Sequence, residues 1–323
     1  MWVWIIFILF IIGCLALDLG VFNKEDHVIE TREAAKWTSV WVSLALLFSG
    51  VIYWLFSNDM VANPTGLTPG DAVITYITGY LVELSLSIDN VFVIAVIFNA
   101  FQIPKMYRHR VLFWGILGAV VFRALMIIFG VALINRFDWM IYVFGIFLLY
   151  TAYTMLNDDH EFDPKTSWTY RKVSRMFRAV STIDGHNFFI RRMGKTYATP
   201  LFMALIVIEL TDVMFALDSI PAILAITQDE FIVFSSNILA ILGLRSMFFL
   251  IVGMLEKFHL INYSLAFILG FVGLKMLLIE FIHLPSWVSL IVIATALVVG
   301  IVASIYIPPS GEEKDQIKDI KGE

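Results

Sequence analysis

The sequence predicts an all-α, polytopic membrane protein with about nine transmembrane helices and an inverted repeat of two three-helix units. Three observations carry this. Of the 323 residues, 60% are hydrophobic and 15% charged, with a mean hydropathy of +0.85, whereas soluble domains lie near half apolar and a quarter charged. The apolar residues form runs that match a hydrocarbon core of about 30 Å. The basic residues gather in alternate connections between those runs, as topology demands of them.

Hydropathy places the spans at 2–22, 39–57, 72–99, 110–133, 138–156, 199–226, 231–254, 260–280 and 285–307. The first opens MWVWII with no Lys or Arg before it and no small-residue cleavage site, so a retained helix is expected rather than a removable signal. Ile11-Ile12-Gly13-Cys14 resembles a lipoprotein cleavage box but lacks the basic leader. Taking connections alternately, one side holds 18 of the 22 Lys and Arg and the other only Arg136, while Arg123, Arg245 and Lys275 lie inside spans. That asymmetry predicts an N-terminus outside and a C-terminus in the cytoplasm, in the inner cell membrane. Residues 157–198 form the long polar connection. In it Trp168, Val173, Met176, Phe177 and Val180 share a helical face opposite Arg171, Lys172, Arg175 and Arg178, the pattern of an interfacial helix on anionic lipid or of a docking helix for a protein partner. The chain therefore divides into 1–71 (two helices), 72–156 (first unit), 157–198 (basic connection), 199–281 (second unit), 282–307 (last helix) and 308–323, a charged tail expected to be disordered.

Composition also excludes functions. The single cysteine, Cys14, gives neither a disulfide framework nor a thiolate metal site. The net charge of −5 comes with no basic domain, so nucleic acid is not the expected partner.

The chemistry lies in a repeat. Glu-Leu-Ser-Leu-Ser-Ile-Asp-Asn at 83–90 and Asp-Val-Met-Phe-Ala-Leu-Asp-Ser at 212–219 both read acid, five residues, acid, polar residue. Arg123 and Arg245 follow, each in the next span, and Tyr142 with Met155-Leu156 corresponds to Tyr263 with Met276-Leu277. An odd number of helices per unit sets the two units in opposite directions, the inverted-repeat plan of transporters, whose substrate sites lie between repeats near the midplane. A charge at the bilayer centre costs at least about 2.5–3.5 kcal/mol on insertion scales. Glu83, Asp89, Glu209, Asp212 and Asp218 therefore need partners, and two arginines cannot neutralise five carboxylates. Protons or a cation must complete the balance, because a buried carboxyl can also stay neutral by keeping its proton.

At 100° per residue, Glu83, Ser87 and Asn90 share one face and Glu209, Asp212 and Ser219 another. Asp89 and Asp218 are turned about 120° from the first acid of their own motif, which suits them to pair with Arg123 and Arg245. Pro221 removes one helical hydrogen bond, which predicts either a kink or a helix break that frees carbonyl oxygen beside Asp218. Carboxylates, carboxamide, hydroxyls and carbonyls are hard ligands for Mg²⁺, Mn²⁺ or Ca²⁺. Met214, inside the second motif, would add a softer thioether contact. The histidines lie in connections or at span edges.

These residues resemble the TerC family of integral membrane proteins, and within it the Alx branch. The resemblance rests on Gly79-Tyr80-Leu81-Val82-Glu83 through Asp89-Asn90-Val91-Phe92, on Tyr197-Ala198-Thr199-Pro200-Leu201, on Glu209-Leu210-Thr211-Asp212 through Asp218-Ser219-Ile220-Pro221-Ala222, and on Leu239 to Arg245. It implies a place in the superfamily of lysine exporters (LysE), functional acids at Glu83, Asp89, Asp212 and Asp218, and export of Mn²⁺ from the cytoplasm as transported substrate.

The expected function is thus a secondary transporter, not an enzyme, with no covalently bound cofactor. It would export a divalent cation by alternating access, with Glu83 and Asp212 as principal ligands helped by Asn90, Glu209 and Asp218, possible proton exchange, and Ca²⁺ or Mg²⁺ as other substrates. Two rivals follow from the same residues: an assembly or metal-delivery factor working through a partner at 157–198, and an intramembrane aspartyl dyad.

Overall fold

The computed structural model describes residues 2–22, 30–64, 66–137, 139–157, 180, 183, 185–192, 195–254, 260–281 and 284–308, with the side chains of residues 19–22, 89, 135, 157 and 192 outside that set. Its elements are α1 (Trp2–Phe22), α2 (Thr31–Ser57), α3 (Pro69–Ala100), α4 (Lys105–Arg136), α5 (Met140–Asn157), β1 (Phe189–Arg192), β2 (Lys195–Ala198), α6 (Pro200–Leu224), α7 (Glu230–Leu242), α8 (Leu244–Gly253), α9 (Ile261–Leu277) and α10 (Ser286–Tyr306). Each predicted span has a helical counterpart. Helices α2, α3, α4, α6 and α10 are long and apolar enough to cross a membrane, α7 and α8 meet the same test together as a pair bent by 49°, and α1, α5 and α9 supply shorter apolar stretches. The chain is an all-α polytopic membrane protein.

Local chemistry explains the boundaries. Thr68 caps α3, its Oγ1 accepting from Asp71 N at 3.2 Å, with Pro69 in the first turn. Pro200 likewise opens α6, where a missing N–H goes unused. Asp229 caps α7 through Ile232 N at 3.0 Å.

Two expectations change. The helix does not break at Pro221: α6 runs through it to Leu224, since the lost donor and the crowded carbonyl four residues back fall on the helix's last turn, while the Pro221 carbonyl still accepts from Ala225 N at 3.0 Å. The break lies instead in the next span, at Gly243 between α7 and α8. The end of the 157–198 connection is a two-stranded antiparallel hairpin, with Phe189 opposite Ala198 and Arg192 opposite Lys195. It is tied to α6 by Thr199, whose N–H donates to Phe188 O at 3.0 Å and whose Oγ1 donates to Asn187 O at 2.7 Å. Trp168, Val173, Met176, Phe177 and the basic residues expected to face them lie outside the described residues.

Helix α5 packs on α9, α4 on α6, and α3 on both α7 and α6. Exchanging α3, α4 and α5 for α6, the α7–α8 pair and α9 leaves the α5–α9 and α3–α6 contacts in place and turns α4–α6 into α3–α7, a two-fold pattern of neighbours. Around this frame α2 lies against α3, α7 and α8, and α10 against α3 and α9. Helix α1 is held by aromatic contacts: Trp4 and Phe7 meet Phe231 of α7 at centroid distances of 5.3 and 5.5 Å, and Phe7 meets Phe48 of α2 at 5.4 Å.

Candidate intramembrane cation site

Four helices bring polar side chains to one buried locus. The 3.6-residue period sets Glu83, Ser87 and Asn90 along one stripe of α3, and Asp212 and Ser219 along one stripe of α6. Arg123 enters from α4 and Asn237 from α7, and all seven side chains are buried. Arg123 is the hub. Its Nη1 pairs with Glu83 Oε1. Its Nη2 meets Asp212 Oδ1 at 3.1 Å and its Nε meets Asp212 Oδ2 at 3.4 Å, a side-on fork of the kind that gives guanidinium–carboxylate pairs their geometric specificity. Nη1 also donates to Ser219 Oγ at 3.2 Å and Asn237 Oδ1 at 3.3 Å. Asn90 Nδ2 donates to Asp212 Oδ1 and Ser87 Oγ to Glu83 Oε1, both at 3.4 Å.

The network is incomplete. Glu83 Oε2, Asn90 Oδ1 and Asn237 Nδ2 are buried without a hydrogen-bond partner, although buried polar atoms are usually satisfied. Two of the three are acceptors, and two carboxylates face one guanidinium. The locus thus has the lone pairs and the charge imbalance that a proton or a further cation would satisfy.

The other predicted ligands are not gathered at the same point. Asp218 accepts from Thr151 Oγ1 of α5 at 2.9 Å, across a cavity of about 260 Å³ that Arg123, Asn90, Ser219 and Thr154 also line. Glu209 is partly buried over Gly118 of α4, where a Cβ would collide with its carboxylate, and its Oε2 has no hydrogen-bond partner. The side chain of Asp89 lies outside the described residues, and with it the expected pairing of Asp89 with an arginine. Among the described residues no three His, Cys, Asp or Glu side chains form a metal-binding cluster.

Arg245 makes a second buried ion pair, with an acid outside both motifs. The bend at Gly243 immediately precedes it, and its Nη2 reaches α1, bonding Asp18 Oδ1 at 2.6 Å and the Asp18 carbonyl at 2.7 Å. Asp218 is not paired with an arginine: its recorded partner is a hydroxyl. Met214 is 67% exposed, since it lies about 200° around the helix from Asp212, and it contributes no thioether to the locus. Asn237 and Asp18 were missed by sequence reasoning. The polar triplet Ser235-Ser236-Asn237 within an apolar span was the signal for the first, and Asp18 near the end of an apolar run was the signal for the second.

Comparison with known proteins agrees with this architecture. The membrane protein STKORF319 of Myxococcus xanthus is 50% identical over 303 residues, covering 94% of this chain and 91% of that one. A Rickettsia bellii membrane protein is 41% identical over 94% of this chain and 96% of its own length. Alx of Escherichia coli (strain K12), whose name proposes a membrane-bound redox modulator, is 43% identical over 91% of each chain. No solved structure matches the chain significantly. Residues 68–312, which contain both acidic motifs, Arg123 and Arg245, match the description "Integral membrane protein TerC family", and the chain belongs to that family.

Proposed function

We propose that this protein is a secondary transporter that exports a divalent cation, foremost Mn²⁺, from the cytoplasm across the inner membrane. One observation carries the reading: Glu83 and Asp212, on helices that exchange under the two-fold pattern of neighbours, converge on a single buried positive charge. A site between two such helices faces one side or the other as the units rock, the geometry of alternating access. Hard oxygen ligands favour Mn²⁺, Mg²⁺ or Ca²⁺, and the resemblance to Alx-like proteins selects Mn²⁺ among them. The redox role in the name of the Escherichia coli relative fits the same activity. With one cysteine in the chain there is no dithiol to exchange, so a redox effect comes through the cation moved.

The test is total cellular Mn, by mass spectrometry, in an export-deficient, Mn-stressed host expressing wild type or Glu83→Gln/Asp212→Asn at matched membrane levels. Wild type lowers cellular Mn and the variant does not. Unchanged Mn with a folded wild type overturns Mn²⁺ as substrate, and the same comparison with Ca²⁺ and Mg²⁺ then decides among the remaining hard cations.

A further inference from the structure

Arg123 occupies the position a transported cation would need. Its guanidinium holds both carboxylates that the transport reading assigns as principal ligands, and the same side chain lines the cavity of about 260 Å³ on whose wall lies the carboxylate of Asp218. We propose that Arg123 is a resident counter-cation: the transported ion displaces its guanidinium from the Glu83–Asp212 pair, and Asp218 receives it across that cavity. The inference rests on the transport reading and adds to it how the unloaded carrier returns.

The argument is one of charge. Two carboxylates buried in their ionised form without a cation are strongly disfavoured, so a carrier that has released its ion passes through its occluded form only with the pair protonated or matched by a positive charge. Arg123 on a tether supplies the missing positive charge from within, and the return needs no second ion. In the loaded state the ion takes the pair. The guanidinium then needs another anion, and Asp218 is the carboxylate that borders its cavity, presently held by the weaker bond from Thr151 Oγ1 at 2.9 Å. Asn90 lines the cavity too, and its Oδ1 is a buried acceptor without a hydrogen-bond partner. The arrangement also gives the incoming ion a competitor, so the apparent affinity is the intrinsic one reduced by the fraction of carriers whose pair is free.

The experiment uses full-length protein in liposomes with Mn²⁺ as probe, measuring net efflux and Mn²⁺/Mn²⁺ exchange separately. Exchange needs only the loaded carrier to cross, whereas net efflux needs the empty one to return. Arg123→Gln is expected to lose net efflux about tenfold or more while exchange stays within about threefold of wild type, and Asp218→Asn is expected to raise the half-saturating Mn²⁺ about tenfold in both assays. Loss of both fluxes together in Arg123→Gln, or of neither, overturns the counter-cation. An unchanged half-saturating concentration in Asp218→Asn overturns the receiving role. If Arg123→Gln does not reach the membrane folded, Asp218→Asn decides, since it leaves the Arg123 ion pairs in place. A wild type with neither flux overturns the transport reading itself, a result separable from all of these.

Discussion

Arg123 and Asp212 meet twice, Nη2 to Oδ1 at 3.1 Å and Nε to Oδ2 at 3.4 Å, so the α4–α6 contact carries a bidentate ion pair at its buried centre. Glu83 closes the other side of the same guanidinium. One cation thereby ties α3, α4 and α6, and the first prediction concerns how unequally its removal and that of its partners are felt.

Replacing one carboxylate leaves Arg123 paired with the other, so Glu83→Gln and Asp212→Asn should each lower stability by about 1.5–3 kcal/mol, the worth of a hydrogen bond to a charged group. Arg123→Gln strands two buried carboxylates and should lower it by about 3–5 kcal/mol. Thermal unfolding of the purified variants in one detergent gives the order. An Arg123→Gln variant more stable than either carboxamide variant means that the acids are held by something other than the guanidinium.

Much of this was legible in the sequence, for identifiable reasons. Long apolar runs mark where helices form because lipid leaves the backbone no other way to satisfy its hydrogen bonds. The acidic motifs could be found because a buried charge is too expensive to occur without use. Angular bookkeeping set Glu83 and Asn90 on one face and Glu209, Asp212 and Ser219 on another; all but Glu209 come together, but around an Arg123 that pairs with Glu83 and Asp212 rather than with Asp218. What failed depended on which helix lies beside which. Arg245 stands in the second unit as Arg123 does in the first, yet it also meets Asp18 on α1, an acid outside both motifs. Asn237 carried a signal in its polar triplet but could not be tied to the site, because its partner enters from another span, 114 residues away. Pro221 was over-read because its effect depends on distance from the helix end, and α6 ends at Leu224. The hairpin at 189–198 lacks the length and alternation that mark a strand, being two strands of 4 residues each.

The Arg245–Asp18 pair should behave as a fastener of α1 rather than as part of the site. Both side chains are buried, so Asp18→Asn or Arg245→Gln alone should lower stability by about 3–5 kcal/mol by breaking a buried ion pair. The double variant should lose less than the sum of the two. Neither single variant should move the half-saturating Mn²⁺ concentration, and the loss from Asp18→Asn should add to that from Glu83→Gln, since the two networks share no residue. A double-mutant cycle by thermal unfolding, together with Mn²⁺ titration of efflux, checks both. Strong coupling between Asp18 and Glu83 would sink the division into two networks.

Asp229 yields a prediction in pH. It lies in the turn between α6 and α7, buried, with Oδ1 capping Ile232 N at 3.0 Å. Burial pushes its carboxyl above the ordinary 3.8 against the pull of the backbone N–H groups of Ile232 and Phe231. A carboxyl raised in the folded state gives its stabilising contribution in full below the ordinary value and loses it as pH rises through the raised one. Asp229→Asn keeps an amide oxygen for the cap but has no proton to lose. Its stability relative to wild type should therefore climb as pH is taken upward from 3.8, and Asp229→Ala, equally without a proton to lose, should follow the same slope about 1 kcal/mol below Asp229→Asn for want of the cap. Melting temperatures across a pH series check the slope, and a parallel pair of curves for wild type and Asp229→Asn contradicts it.

The α5–α9 contact is set by two glycines that leave no room for even one carbon. A Cβ on Gly273 would lie 2.9 Å from the carbonyl oxygen of Gly145 and 3.1 Å from Leu148 Cβ, and one on Gly145 would lie 3.1 Å from the carbonyl oxygen of Gly273. In lipid, where helices gain little from apolar burial against one another, such close approach of small residues is a main source of association. The obstacle is backbone, which cannot turn aside as a side chain can, so Gly273→Ala must push the helices apart. It should lower stability by about 1–3 kcal/mol as overpacking, despite the roughly 1 kcal/mol that alanine gains over glycine in a helix. Gly270, one turn away on the same helix, is the control: its added Cβ would meet Ala152 Cβ at 3.9 Å, an ordinary contact. There propensity should win, and Gly270→Ala should melt at or above wild type. Because α5 and α9 exchange under the two-fold pattern, a change in their spacing reaches both units at once, and Gly273→Ala should slow Mn²⁺ efflux while Gly270→Ala does not. Unfolding and efflux measured on the two variants decide it, since the opposite order in either assay means that α5 and α9 do not meet at Gly145 and Gly273.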